Sequence, residues 1–195
     1  MPFHFTALPH KLIANEWLAD SVPSVWWRLS CDAVLCGGWA MVDALQRVKH
    51  PFVLVRQADN GTKVWCINGR IGRENDLPAY EQIDGLKQWY DANGEIHRDN
   101  DLPAIEWATG TKEWWIHGQP HRENDLPAIE WADGSKEWYT NGLSQRENDL
   151  PSCEWADGSK IWHVNGQRHR LNGPAIVWAD GTEEWWINDE MVEPA

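Results

Sequence analysis

The chain is short of most things that would assign it a chemistry. Cysteine occurs four times in 195 residues, at Cys31, Cys36, Cys66 and Cys153. That spacing matches neither a zinc site nor a disulfide framework, so free thiols in a reducing compartment are expected. No apolar run reaches about 18 residues, the length a membrane-spanning helix needs. No signal-peptide pattern is visible, and the expected location is cytoplasmic. A Gly-rich phosphate loop, a nucleophile elbow, a His-Glu-x-x-His motif and a Cys–His pair at a telling spacing are all missing. Acids and histidines recur along the chain but are spread out, whereas catalysis gathers unlike groups in one place. The sequence therefore reads as a non-enzyme with no cofactor and no metal.

Basic residues are the other shortage. Lys and Arg total 17 against 30 Asp and Glu, a net charge of −13. Lys11, Arg28, Arg47 and Lys49 balance Glu16, Asp20, Asp32 and Asp43, so residues 1–50 are neutral and the whole excess sits on residues 51–195. An acidic segment repels phosphate, which speaks against direct nucleic-acid or anionic-membrane binding. It suits a protein partner with a basic surface, or it keeps a tryptophan-rich chain soluble.

What is abundant is tryptophan, and it is periodic. Trp65, Trp89, Trp114, Trp138, Trp162 and Trp185 are separated by 24, 25, 24, 24 and 23 residues, and Pro78, Pro103, Pro127, Pro151 and Pro174 keep the same beat. A fixed period in the twenties is the mark of a repeat architecture, which builds a regular surface in place of an enclosed pocket. Two glycine turns punctuate each repeat. Asp84-Gly85, Thr109-Gly110, Asp133-Gly134, Asp157-Gly158 and Asp180-Gly181 form one series; Asn68-Gly69, Asn93-Gly94, His117-Gly118, Asn141-Gly142 and Asn165-Gly166 form the other. Such dipeptides accept positive φ and signal hairpins. Between them, Ala128–Ala132 alternates with period two, placing Ile129 and Trp131 on one face and Glu130 on the other; Lys136–Thr140 is also strand-like. His121–Asp125 is polar, runs into Leu126-Pro127 and reads as a loop. Each repeat is thus expected to be one hairpin plus a loop, stacked on its neighbours. The predicted fold is mainly β: an elongated antiparallel sheet of roughly 24-residue hairpin repeats over 51–195.

The Asn-Gly…His-Arg…Leu-Pro-Ala…Trp-Ala-Asp-Gly-Ser pattern resembles MORN-type repeats in the divergent form found in bacterial and phage proteins. The resemblance covers about residues 51–190, with Trp, Pro and Arg standing where that motif is rich in Tyr and Gly. It implies an array of stacked hairpins. It also suggests a non-catalytic protein-binding scaffold, specifically a phage-type inhibitor of a host protein (anti-defence, anti-CRISPR-like) acting in the host cytoplasm.

Residues 1–50 lack the repeat. Leu12–Leu18 and the stretch from Asp32 to Val48 have helical spacing, with Asp32 as an N-cap, and predict a small α-helical cap or a docking segment through which the chain dimerises.

Aligning the repeats with one another turns each position into a column. The constant Trp65-to-Trp185 column reads as a structural spine. The next column holds Cys66, Tyr90, Trp115, Tyr139, His163 and Trp186. It points to the opposite face, and Tyr90, Trp115, Tyr139 and Trp186 are the candidate partner-binding aromatics, with a second packing layer as the alternative. Arg73, Arg98, Arg122, Arg146 and Arg170 form a constant column; Glu81, Glu106, Glu130 and Glu154 form another, broken by Val177. An Arg–Glu ladder between neighbouring repeats is expected, with Arg also stacking on Trp. His97, His121 and His169 precede the arginines, but Gly72 and Gln145 interrupt them, which speaks against a metal ladder. The loop acids Glu74, Asp76, Asp99, Asp101, Glu123, Asp125, Glu147 and Asp149 form a candidate acidic edge. Such an edge offers each loop too few ligands for Ca²⁺. It would let the chain mimic a nucleic-acid backbone and occupy a basic groove. A third reading is small-ligand binding, with a nucleotide or sugar stacked in Trp-lined slots.

Overall fold

The computed structural model describes residues 53–193 and the backbone of Lys11–Ile13. The chain divides into two units, Met1–Gly94 and Glu95–Ala195. Every strand pair within each unit is antiparallel.

In the first unit, β1 (Lys11–Ile13), β2 (Val53–Gln57), β3 (Lys63–Ile67), β5 (Tyr80–Glu81) and β6 (Lys87–Gln88) follow one another across a sheet, with β4 (Arg70–Ile71) paired to β3. β2 and β3 form a five-residue ladder from Val53↔Ile67 to Gln57↔Lys63. The sequence expectation of a helix beginning at Leu12 meets an extended backbone there: β1 pairs with β2, Lys11↔Gln57 to Ile13↔Val55. The edge of five-residue β2 would otherwise leave a row of unpaired N–H and C=O groups, and β1 covers it. The rest of the expected helical cap, and the expected domain boundary at residue 50, lie outside the described residues.

The second unit contains the regular repeats. Its sheet runs β7 (Ile105–Glu106), β8 (Lys112–Glu113), β11 (Ile129–Glu130), β12 (Lys136–Glu137), β15 (Cys153–Glu154), β16 (Lys160–Ile161), β19 (Ile176–Val177) and β20 (Glu183–Glu184). Four two-stranded ribbons stand apart from it: β9 (Trp115–Ile116) with β10 (Gln119–Pro120), β13 (Tyr139–Thr140) with β14 (Leu143–Ser144), β17 (His163–Val164) with β18 (Gln167–Arg168), and β21 (Trp186–Ile187) with β22 (Glu190–Met191).

Each repeat therefore contains two hairpins and a loop, where one hairpin and a loop were expected. The two glycine turns have different geometries and close different hairpins. Asn141 (φ 49°) and Gly142 (φ 82°) are both left-handed, the two-residue turn that matches strand twist, and they close the ribbon. Across Asp133-Gly134 only the glycine is left-handed (φ 92°). There Gly134 N–H donates to Trp131 O and Trp131 N–H to Ser135 O, a type I turn with a glycine bulge that closes the sheet hairpin. The Asp133 carboxylate also accepts from Ser135 N–H. The extra residue of the Trp89–Trp114 step falls at Asp91–Gly94, where Gly94 N–H bonds back to Asp91 O in a longer turn.

The spine tryptophan sits at the joint between sheet and ribbon. Trp138 N–H donates to Ser152 O and its carbonyl accepts from Gln145 N–H, so its backbone ties two repeats together. Trp65, Trp89, Trp114, Trp138 and Trp162 are 6–8 % exposed and form the core with the fully buried Ala79, Ala104, Ala128 and Ala175. Burial of this kind is worth about 3–5 kcal/mol per indole when truncated. Consecutive sheet turns are stitched by hydroxyls: Thr111, Ser135 and Ser159 accept from the backbone N–H of Ala132, Ala156 and Ala179 in the following turn.

Candidate functional site

The two faces of the second unit differ in kind, and the register assigns each side chain to one of them. Residues paired across the ladder share a face. Lys112, Glu130, Lys136, Glu154 and Lys160 therefore lie on one face, and Ile105, Glu113, Ile129, Glu137, Cys153, Ile161, Ile176 and Glu184 on the other.

The first face carries the spine and its arginines. Arg122, Arg146 and Arg170 stack on Trp114, Trp138 and Trp162 with their guanidinium carbons 3.7, 3.8 and 4.0 Å from the ring centres. Arg73 covers Trp65 at 3.9 Å in the first unit. The expected Arg–Glu pairs exist but lie within one repeat: Arg122 Nη1 donates to Glu130 at 3.1 Å and Arg146 Nη1 to Glu154 at 3.2 Å. The ladder between repeats is made instead with the loop acids. Arg146 grips Asp125 of the preceding loop through Nε and Nη2, both at 2.8 Å; Arg122–Asp101 and Arg170–Asp149 repeat the fork. A planar guanidinium has enough donors to do both, which is why Arg and not Lys fills this column.

The loop acid is fixed by its backbone as well. Asn124 (φ 61°) and Asp125 (φ 54°) are consecutive left-handed residues, as are Asn100-Asp101 and Asn148-Asp149, and Asn and Asp tolerate that region best among residues with a side chain. The carbonyls of Asp76, Asp101, Asp125 and Asp149 accept the indole N–H of Trp89, Trp114, Trp138 and Trp162. The fork from Arg122 holds the Asp101 carboxyl below the usual carboxylate range, and that from Arg146 does the same for Asp125. The candidate acidic edge thus splits. Asp101, Asp125 and Asp149 brace neighbouring repeats. Glu74, Asp99, Glu123 and Glu147 are exposed, with Asp99 and Glu123 accepting from His97 and His121. Asp76 is exposed in the first unit.

The histidines before the arginines have a role that explains their interruption. Nδ1 of His97, His121 and His169 accepts the backbone N–H of His117, Asn141 and Asn188 in the next ribbon turn. Gln145 supplies Oε1 to Asn165 N–H in the same place. The column needs an acceptor and has no need of a metal ligand.

The candidate ligand slots are two grooves of about 340 and 290 Å³ between successive loops, the first lined by Trp138, Arg146 and Glu147, the second by Trp162, Arg170 and Asn172. The indoles there carry a stacked arginine and are otherwise buried, so no open ring face is presented to a base or sugar.

The opposite face carries the predicted aromatic column and a second one that the sequence reading did not single out. Trp115 and Tyr139 are half-buried, and Tyr90 is half-buried in the first unit with its hydroxyl 2.6 Å from Gln88. Beside the predicted column stand Trp107, Trp131 and Trp178, 42, 40 and 39 % exposed. A glutamate joins the two columns. Glu137 Oε1 accepts from Trp131 Nε1 at 2.7 Å and Oε2 from the Tyr139 hydroxyl at 2.8 Å. Glu113 accepts from Trp107 (2.6 Å) and Trp115 (2.9 Å), and Glu184 from Trp178 (2.8 Å) and Trp186 (2.9 Å). Burial, then the hydrogen bond to Glu137, pushes the Tyr139 phenol well above its ordinary value. The sequence signal was present, since Trp107, Trp131, Trp155 and Trp178 are also periodic. Period-two alternation puts Trp131 on the face of Ile129, but Trp131 opens the turn, where the sheet ends and the indole reaches solvent.

The junction between the Trp138 and Trp162 repeats departs from this arrangement. Ile161 stands where Glu113 and Glu137 do, and His163 where Trp115 and Tyr139 do. His163 Nδ1 lies 2.9 Å from Ser152 Oγ and 3.2 Å from Ser144 Oγ, and burial depresses its pKa. Cys153 is buried beside it, its thiol raised to about 11 first by burial and then by Glu137.

Among the described residues no helix is long and apolar enough to cross a membrane. Compared with family models, curated proteins and solved structures, the chain finds no match.

Proposed function

We propose that the chain is a protein-binding repeat scaffold whose working surface is the indole face of the second unit, and that its hairpins are a divergent form of the MORN-type repeat. One observation carries the reading. Trp107, Trp131 and Trp178 are about two-fifths exposed, yet each N–H is held by a glutamate. Rigid aromatic groups already ordered in the free protein lose little entropy on binding, and Trp and Tyr dominate interface hot spots. The phage-type host inhibitor is the specific version that the repeat style suggests, and it requires one stoichiometric host partner.

Capture from host lysate with the wild-type chain, and with a chain carrying Trp107→Ala, Trp131→Ala and Trp178→Ala, tests this reading. The expected result is a single partner lost with the triple variant. Nucleic-acid mimicry predicts the reverse: retention by the triple variant, and loss when Asp99, Glu123 and Glu147 are neutralised, with a steep salt dependence. Recovery of no stoichiometric partner by the wild-type chain would count against the scaffold.

A further inference from the structure

The carboxylates of the indole face are unusual in having neutral hydrogen-bond donors and no ion-pair partner among the described residues. Glu137 is 8 % exposed, and its two hydrogen-bond donors, Trp131 and Tyr139, are both neutral. Among the described residues no Lys, Arg or His forms an ion pair with Glu113, Glu137 or Glu184, whereas Glu106, Glu130 and Glu154 on the other face are each paired with an arginine. Lys112, Lys136 and Lys160 are on that other face too. A buried anion is ordinarily compensated by a cation.

The aromatic donors carry this charge to the surface. An indole N–H that donates to a carboxylate is polarised, and electron density shifts into the ring, so its faces attract cations more strongly. The described residues display the resulting interaction at Trp186. In the Glu184 box, Arg168 lies over the Trp186 ring at 3.6 Å, with its Nε held by Asp189 at 2.7 Å. Arg168 belongs to the repeat before Trp186; the equivalent positions one repeat before Trp115 and Tyr139 are Ile96 and Pro120, which carry no charge. No arginine or lysine stacks on Trp107, Trp115 or Trp131 among the described residues.

We propose that the Trp107–Glu113–Trp115 and Trp131–Glu137–Tyr139 boxes receive two arginine side chains from a segment of a partner protein. The proposal rests on the reading of this face as a protein-binding surface and names what it recognises. Guanidinium is flat and weakly hydrated, so it stacks on aromatic rings more readily than an ammonium. Glu113 and Glu137 lie on β8 and β12, with β11 between them. Two steps of about 4.8 Å put the boxes roughly 10 Å apart. A polyproline helix with arginines three residues apart presents them on one side at about 9 Å. The next site along the sheet, Trp155–Ile161–His163, has no carboxylate and takes no part.

The test is a fluorescence-anisotropy titration of the full chain with a labelled, end-blocked peptide, Pro-Pro-Arg-Pro-Pro-Arg-Pro-Pro. Replacing both arginines with citrulline, a neutral isostere, is expected to weaken binding at least about ten-fold, as is Trp107→Ala with Trp131→Ala, on the scale of two cation–π contacts. Glu113→Gln with Glu137→Gln is expected to cost about five-fold with the indoles intact. Thermal unfolding checks that each variant folds, and the citrulline peptide needs no variant at all. Equal affinity for the arginine and citrulline peptides overturns the proposal. If host-partner capture still depends on Trp107 and Trp131 in that case, the scaffold reading survives without it. If neither the peptide nor the partner notices those indoles, both fall.

Discussion

Two carboxylates two residues apart in one loop should differ in what they contribute to stability. Asp125 is gripped by Nε and Nη2 of Arg146, both at 2.8 Å, whereas Glu123 meets His121. Asp125→Asn isolates the charge, because asparagine accepts the left-handed φ of 54° as readily as aspartate and leaves the backbone in place. Arg146 keeps its stack on Trp138 and its bond to Glu154. A hydrogen bond to a charged group is worth about 1.5–3 kcal/mol. The Asp125 side chain is 48 % exposed, and solvent screening brings the expected loss down to about 1 kcal/mol. Glu123, 75 % exposed, should cost less than about 0.5 kcal/mol as Glu123→Gln. Urea unfolding at neutral pH measures both. The arginine holds Asp125 below its unfolded pKa of about 3.9. Its contribution is therefore complete above that value and lost as pH falls through the folded pKa. The gap between wild type and Asp125→Asn should close in acid. A double-mutant cycle with Arg146→Lys should return a coupling of about 0.5–1 kcal/mol. The brace between repeats is refuted if Asp125→Asn costs no more than Glu123→Gln, or if the gap does not narrow as pH falls below about 3.9.

Three further outcomes follow from the same geometry. Trp138→Ala should lower stability by about 3–5 kcal/mol in thermal or urea unfolding, since it removes a buried indole, its bond to Asp125 O and the platform for Arg146. His163 is kept neutral by burial, so the unfolded chain binds more protons below about pH 6.5. Stability should fall as pH drops from 7 through that window to the folded pKa, and His163→Asn, which keeps an acceptor near Ser152, should show a shallower slope in melting-temperature scans. Cys153, buried and raised to about 11, should resist iodoacetamide at pH 8 in the native protein and react once unfolded, as read by peptide mass spectrometry.

Much of the fold was legible because the repeats supply their own internal comparison. The Trp beat, the paired glycine turns and the Arg column all came from residues whose constancy has a local physical cause. The second hairpin was not read, because Asp-Gly and Asn-Gly look alike as dipeptides. They separate only when the residue after the glycine is weighed: Ser135 N–H turns back to the Asp133 carboxylate and closes a bulged turn, while nothing of the kind follows Gly142. The Arg–Glu ladder was right in its partners and wrong in its reach. Sequence spacing shows that Arg122 and Glu130 recur together. It does not show that a loop with two left-handed residues brings Asp101 of the previous repeat against the same guanidinium. The N-terminal expectation rested on short apolar spacings, which leave helix and strand ambiguous.

The junction around Trp162 decides which side chains the architecture needs. It gives up the glutamate and the aromatic together, as Ile161 and His163, and accommodates the change locally with Ser152 in place of alanine and Cys153 in place of isoleucine. The ladder is undisturbed: Cys153↔Ile161 and Ile161↔Ile176 keep the register of the neighbouring pairs. A junction can therefore be built without the Glu–aromatic box, whereas every one from Trp65 to Trp185 keeps the spine tryptophan. Loss alone does not assign a role, because Val177 likewise replaces a glutamate on the other face. There, however, the glutamate was one of several partners of an arginine, and Arg170 keeps its fork to Asp149. Glu113 and Glu137 have no arginine to hold. A carboxylate that is dispensable to the sheet, set beneath exposed indoles and left without a cation, is better explained by what docks on it than by what it supports.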